Sequence, residues 1–378
     1  MLNRLALLTL GLAAGLALCE VLPRMAPGLL SQSMQTSVHF YRGRRALQDI
    51  MVGDPYLGYR LRRDLALDFP ADGQDVSLRT VSFDLGDIGF RDIGTHPPFD
   101  TVAIGDSFTF CQDVQPESCW VRRLSDARRH SIADLGVSGY SNQAEVRMLE
   151  RYGRRLHPRL VVWTVFPNDL LENVSFEAWT RSGTDDQFSW MRFNRRGPLT
   201  DWLARHSLVF QVLDGARRAS TRYLYYHHEG NLDFVFRFDD FWLAALHGID
   251  DLAGWHLMQE ALLTGQRIAT ESGAQLLVVL APTKEHVYWN VVRRYVPDEL
   301  RSADPDEPYR VVSRFLAAHS IPTCSLVEPL QQEAAAGEQV YWRITGHWND
   351  RGNAVTATAV GRCLTDQRLW PEPLTVTR

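Results

Sequence analysis

Four short segments carry side chains that could do chemistry, and each follows or precedes a regular apolar pattern. In Val102-Ala103-Ile104-Gly105-Asp106-Ser107-Phe108 an apolar run breaks at a glycine, and a hydroxyl follows two residues later. Gly105 permits a tight turn and Asp106 can hydrogen-bond the neighbouring backbone, so Ser107 is displayed at the end of a strand. Leu135-Gly136-Val137-Ser138-Gly139-Tyr140-Ser141 is a glycine-bearing turn, whose N–H groups can face an anion where no side chain intervenes. Phe166-Pro167-Asn168-Asp169 puts a carboxamide after another apolar run; the plainer role of Asn168 or Asp169 is a helix N-cap. Ile344-Thr345-Gly346-His347-Trp348-Asn349 sets an imidazole just ahead of a helix start, with Asn349 the expected cap.

A hydroxyl, an imidazole and fixed N–H donors make up a set for acyl transfer. A serine hydroxyl needs a base, and histidine has the side chain suited to neutral pH. The tetrahedral intermediate carries an oxyanion, for which each fixed donor is worth about a hundredfold or more in rate. On this reading Ser107 is the nucleophile and His347 the base. Ser107 N–H, Gly139 N–H and the Asn168 side chain serve the oxyanion, with Asp106 and Asp169 in support. The chemistry requires no metal and no organic cofactor. Lys284, the chain's only lysine, opens Lys284-Glu285-His286-Val287-Tyr288. It could bind a carboxylate or a sugar, or stand on a surface turn.

The elements that must position these residues begin near residue 100. Apolar runs at Thr101–Gly105, Ile132–Val137, Leu160–Phe166, Gln275–Ala281 and Ile321–Leu326 alternate with helical patterns at Cys119–Arg129, Asn142–Arg155 and Asp251–Ser272. A last helix is expected after Asn349. This alternation is the βαβ signature of a parallel sheet, which places ligands at the carboxyl ends of its strands. Asp134 in the second run points to an edge position. Residues 172–250 exceed any crossover and read as a helical insertion rich in aromatics: a small subdomain, a lid, or both.

Taken together, the four segments resemble the SGNH (GDSL-type) hydrolase superfamily in order and spacing. Gly105-Asp106-Ser107-Phe108 is similar to its serine block, with Phe in place of the usual Leu. Gly139, Asn168 and His347 stand at its glycine, asparagine and histidine blocks. Gly89-Phe90-Arg91-Asp92 is similar to a segment that precedes the serine block in an N-terminally anchored bacterial subgroup. The Lys-Glu-x-x-Tyr pattern at Lys284 is similar to one in alginate O-acetylation proteins. The resemblance implies a flavodoxin-like three-layer α/β/α sandwich with a parallel sheet. It implies a serine esterase acting on acyl, above all acetyl, esters of a glycan or small molecule. The alternatives are an O-acetyltransferase acting on an extracellular polysaccharide and a catalytically silent glycan-binding protein. One position departs from the family: its Asp two or three residues before the histidine is replaced by Thr345 and Ile344. A dyad oriented by a backbone carbonyl, an acid supplied from elsewhere in the chain, and a weakened site all fit that departure.

The remaining sequence bounds the setting. Leu5–Cys19 is apolar and uncharged, spanning roughly 22 Å as a helix against a ~30 Å hydrocarbon core. Extended to Leu2–Leu22 it could cross. Residues 1–24 are therefore a signal anchor or a signal peptide, 25–99 an N-terminal extension, and 100–378 the hydrolase-type domain. The expected location is the inner membrane, single-pass, with the body on the periplasmic or extracellular side; secretion to the periplasm is the alternative. In such a compartment Cys111–Cys119 and Cys324–Cys363 could pair, or all four could be buried thiols. A net charge of −5 argues against nucleic acid as a partner. The expected partners are an acylated glycan or small ester, the membrane, and envelope polysaccharide machinery.

Overall fold

The computed structural model describes residues 2–72, 74–128, 130–182, 197–218, 224–237, 248–250, 252–296, 298 and 301–372. The chain starts with helices Leu2–Met25 and Gln32–Ile50. Five short antiparallel strands follow. β1 (Met51–Asp54) pairs with β2 (Gly58–Leu61), while β3 (Ala66–Pro70), β4 (Asp75–Val81) and β5 (Phe90–Arg91) form a second small sheet.

The central sheet is parallel throughout. Its strands are β6 (Thr101–Ile104), β7 (Ile132–Asp134), β8 (Leu160–Val165), β11 (Gln275–Leu280) and β12 (Thr323–Ser325), in the spatial order β12-β11-β8-β6-β7. That order is flavodoxin-like, with the switch point between β6 and β8. All five expected strands are present and β7 lies at the edge.

The period-two alternation of a strand explains the three layers. β8 is buried along its whole length. Val161, Trp163 and Val165 enter one core, with Met148, Met258 and Leu262 from helices Asn142–Arg151 and Ala253–Glu271. Leu160 and Val162 enter the other, with Trp120, Leu124 and Val360 from helices Trp120–Arg128 and Asp350–Asp366. The extension does not stand apart: Ile50, Met51, Tyr59, Leu61, Leu78 and Phe90 belong to the same core as β8 and Trp163.

The stretch expected as a helical insertion departs from that description in one respect. It holds helices Pro198–His206 and Leu208–Arg218, but also a hairpin of β9 (Leu224–Glu229) and β10 (Leu232–Arg237). The turn is Gly230-Asn231, a two-residue hairpin signal. Phe234 and Phe236 of β10 fill the second core, so they are unavailable as sugar-stacking platforms. Phe188, Trp190, Tyr223, Phe241 and Trp242 lie outside the described residues.

Both cysteine pairs are bonded, Cys111 to Cys119 and Cys324 to Cys363, while Cys19 is free in the first helix. That helix is long and apolar enough to cross a membrane over Ala6–Met25, and none of that span is buried. Its last turns dock on the insertion. The Glu20 carboxylate accepts from Leu208 N–H (2.8 Å) and Val209 N–H (3.1 Å), and Arg24 donates to the His206 carbonyl (2.6 Å).

Candidate active site

Ser107 follows β6 and the turn at Gly105. Gly105 has φ +152°, and a Cβ there would lie 2.2 Å from Thr109 Oγ1 and 3.0 Å from the Thr164 carbonyl. Only glycine fits so close an approach. Asp106 is fully buried and accepts from Phe108 N–H at 2.9 Å, which fixes the turn. Burial pushes its carboxyl up to about 6, against the pull of that bond and of His347.

His347 reaches this turn from the far end of the chain. The loop Tyr341–Trp348 closes on itself, with Trp342 N–H donating to the His347 carbonyl at 3.0 Å. Asn349 caps the last helix as expected, accepting from Gly352 N–H at 3.0 Å. His347 Nε2 lies 2.9 Å from Ser107 Oγ. Phe108 packs edge-on against the imidazole, with ring centroids 5.5 Å apart, and touches Phe166 and Trp348.

The acid that stands beside His347 is Asp113, which sequence reasoning did not single out. Its Oδ2 lies 2.7 Å from His347 Nδ1. Asp113 is buried with a left-handed backbone, φ +72°. Of the three arrangements left open by Thr345 and Ile344, the structure contains the acid supplied from elsewhere. With Nδ1–H donating to Asp113, Nε2 is free to accept from the Ser107 hydroxyl, the tautomer a general base requires.

Gly139 follows β7 in a left-handed conformation, φ +75°, and Asn168 follows β8. The Asn168 carbonyl accepts from Leu171 and Glu172 N–H at 2.9 and 3.0 Å, which starts helix Asp169–Ser182. Its side-chain Oδ1 is buried without a partner among the described residues. Asp169 is buried and accepts from Phe166 N–H (3.0 Å) and Asn142 Nδ2 (2.7 Å). The same Asn142 amide donates to Glu145 (3.1 Å). Burial pushes the carboxyls of Glu145 and Asp169 well up; Asp106 raises both further, and Glu145 also raises Asp169. Asp106 and Asp169 thus brace the loops that carry Ser107 and Asn168.

Lys284 is neither on a surface turn nor placed as a ligand for a sugar. It is 1 % exposed, and its Nζ donates to the carbonyls of Trp342 (3.3 Å), Arg343 (3.2 Å) and Thr345 (2.9 Å). The ring of Phe234 lies 5.6 Å away. Burial lowers its amine to about 8. Lys284 therefore holds the loop that presents His347. Cys111, Cys119 and Asp134 come close enough to hold a metal ion, but both sulfurs are bonded to each other.

Residues 253–375 match the family described as "SGNH hydrolase-like domain, acetyltransferase AlgX". That span includes Lys284 and His347 and excludes Ser107. No curated protein matches the chain. Among solved structures, a protein of the G-D-S-L family from Desulfitobacterium hafniense DCB-2 is 12 % identical with TM-score 0.39, over 70 % of this chain and 98 % of that one. The acetylxylan esterase Axe2 from Geobacillus stearothermophilus, as a catalytic mutant, is 12 % identical with TM-score 0.37, over 70 % and 93 %. With the family match, the resemblance to the SGNH hydrolases read from the four segments holds, as does the more distant one to alginate O-acetylation proteins.

Proposed function

We propose that the chain is a serine-dependent acyl-ester enzyme in which Ser107, His347 and Asp113 act as a triad. The observation that carries this reading is the continuous chain of contacts from Ser107 Oγ to His347 Nε2 (2.9 Å) and from His347 Nδ1 to Asp113 (2.7 Å). Ser107 Oγ attacks the ester carbonyl and passes its proton to His347 Nε2. The oxyanion accepts from Ser107 N–H, Gly139 N–H and the Asn168 amide. Its collapse expels the alcohol, which takes the proton from His347. A second hydroxyl, from water or an acceptor alcohol, then gives its proton to His347 and attacks the acyl-serine; collapse of that second intermediate breaks the acyl–Oγ bond, and Ser107 Oγ takes the proton back from His347.

With water as acceptor the enzyme is an esterase, and acetyl esters of a glycan or small molecule are the proposed substrates. The match to a family named for an acetyltransferase favours a second reading, transfer of the acyl group to a polysaccharide hydroxyl. The proposed location is the inner membrane, with the body in the periplasm. The first helix and the paired cysteines support it.

The test uses the full chain in detergent. A fluorophosphonate should add its phosphonyl mass to Ser107, and p-nitrophenyl acetate turnover should vanish in Ser107→Ala. Equal turnover in the wild type and Ser107→Ala, with no adduct, removes the reading. Oligosaccharide acceptors added to the assay separate the two outcomes: acetylated oligosaccharide marks transfer, and free acetate marks hydrolysis.

A further inference from the structure

The segment ahead of the central sheet reaches into three loops of the site, and in each case it grips backbone. Arg91 comes from the Gly89-Phe90-Arg91-Asp92 segment and is 1 % exposed. Its guanidinium donates to the carbonyls of Phe110 (2.6 Å), Cys111 and Val114 (2.5 Å). Those carbonyls flank Asp113 on both sides. Asp72, also buried, accepts from Ile344 N–H and from Thr345 N–H (2.9 Å), just ahead of His347. Tyr59 O–H donates to the Ser138 carbonyl at 3.0 Å, next to Gly139, and Tyr140 O–H returns to the Tyr59 carbonyl at 2.6 Å.

These contacts are costly to build for a mere spacer. Burying a guanidinium is expensive unless its donors are used; here three loop carbonyls take both terminal nitrogens, while Nε is buried without a partner among the described residues. Desolvation lowers Arg91 only to about 10, so it stays charged at neutral pH. Loop 110–114 has left-handed backbone at Cys111 and Asp113, a course that side-chain bonds to its carbonyls hold in place. The Cys111–Cys119 bond closes the same loop.

We propose that residues 51–99 are half of the active-site scaffold, with Arg91 the positioning residue for Asp113 and Asp72 the positioning residue for His347. The inference rests on the Ser107–His347–Asp113 reading. Neither residue touches substrate; each sets where a triad member sits, and misplacement by about 1 Å can cost on the order of a hundredfold.

The experiment is a double-mutant cycle on the full chain in detergent, read by kcat and KM for p-nitrophenyl acetate and by the rate of fluorophosphonate labelling at Ser107. Arg91→Gln should lower kcat about 30- to 100-fold with KM within about twofold. In an Asp113→Ala background the same change should cost less than about threefold, because Arg91 then has no acid left to position. Arg91→Lys, which keeps the charge, should recover part of the loss, and it carries the same cycle if Arg91→Gln does not fold. Asp72→Ala should lose about tenfold in kcat, while Asp72→Asn, which keeps an acceptor oxygen, stays within about threefold of wild type. Equal losses from Arg91→Gln with and without Asp113, or a change confined to KM, overturn the inference while leaving the enzyme reading intact. A wild type that neither labels nor turns over removes the enzyme reading, and this inference with it.

Discussion

Two parts of the site are built differently. Ser107, Gly139 and Asn168 follow β6, β7 and β8, three neighbouring parallel strands whose spacing the sheet sets. Asp113 and His347 sit on loops outside the sheet and depend on side chains from elsewhere in the chain. Arg91 grips the first loop, and Lys284 and Asp72 grip the second. The strand-end groups thus start from cooperative backbone pairing, to which Asp106 and Asp169 add local braces, while Asp113 and His347 rely on a few charged, buried contacts from distant parts of the chain. The oxyanion side should therefore tolerate change in its surroundings better than the proton-relay side.

The sharpest way to break that comparison is Asp113→Asn. An amide at that position can donate toward His347 Nδ1 and so favour the tautomer that leaves Nε2 protonated. The expected loss in kcat is about 10³- to 10⁴-fold with the fold unchanged. Steady-state turnover beside a circular dichroism spectrum checks it. A loss under about tenfold would mean that His347 is oriented by something else.

Asn168→Ala sharpens the other side. It removes the proposed oxyanion donor at a strand end, and the expected cost is about 10²- to 10³-fold in kcat. The Asn168 carbonyl bonds to Leu171 and Glu172 belong to the backbone, so the thermal midpoint should stay near wild type. An unchanged kcat would take Asn168 out of the oxyanion hole.

The difference between the two parts also decides what could be read from sequence. A strand that ends in Gly-Asp-Ser, a glycine turn and a Pro-Asn-Asp step are local patterns, so Ser107, Gly139 and Asn168 are visible within a few residues of themselves. His347 is visible through its helix cap, Asn349. Asp113 has no such marker. It lies between two cysteines in a polar loop, and its partner is 234 residues away. The one signal is indirect: aspartate tolerates the left-handed backbone that a tight bridged loop demands. Lys284 misleads for a related reason. A lone lysine reads as a solvent or ligand contact, and only the folded loop supplies the three carbonyls that accept from it. The hairpin is legible at Gly230-Asn231, a two-residue turn signal flanked by strand-favouring aromatic residues.

Lys284→Met tests the loop-held side more gently. Three carbonyls would lose a donor at a buried site, for about 1–3 kcal/mol of stability and roughly a tenfold fall in kcat as His347 gains freedom. Urea unfolding and turnover on the same preparation check both. A stability loss with full activity would show that the His347 loop keeps its course without Lys284.

The smallest effect on turnover is expected on the strand side, at Asp134, where the readout is stability. It is fully buried at the end of edge strand β7, accepts from Gly136 N–H at 2.9 Å, and is pushed up to about 7 by burial, against that bond and the attraction of Arg91. An aspartate in the unfolded chain titrates at about 3.9. The folded protein therefore holds a proton that the unfolded chain has lost. The stability this group contributes is full below about 3.9 and is lost as pH rises through about 7. Asp134→Asn keeps an acceptor oxygen for Gly136 and never ionises. Its thermal midpoint should match wild type near pH 4 and exceed it by about 5 °C at pH 8, since about three pKa units are worth about 4 kcal/mol. A difference that stays flat between those pH values would mean that Asp134 is not the group that titrates. A variant less stable at pH 8 would mean that the charge itself helps hold β7 and Arg91 in place, tying the strand side of the site to the same electrostatics as the loops.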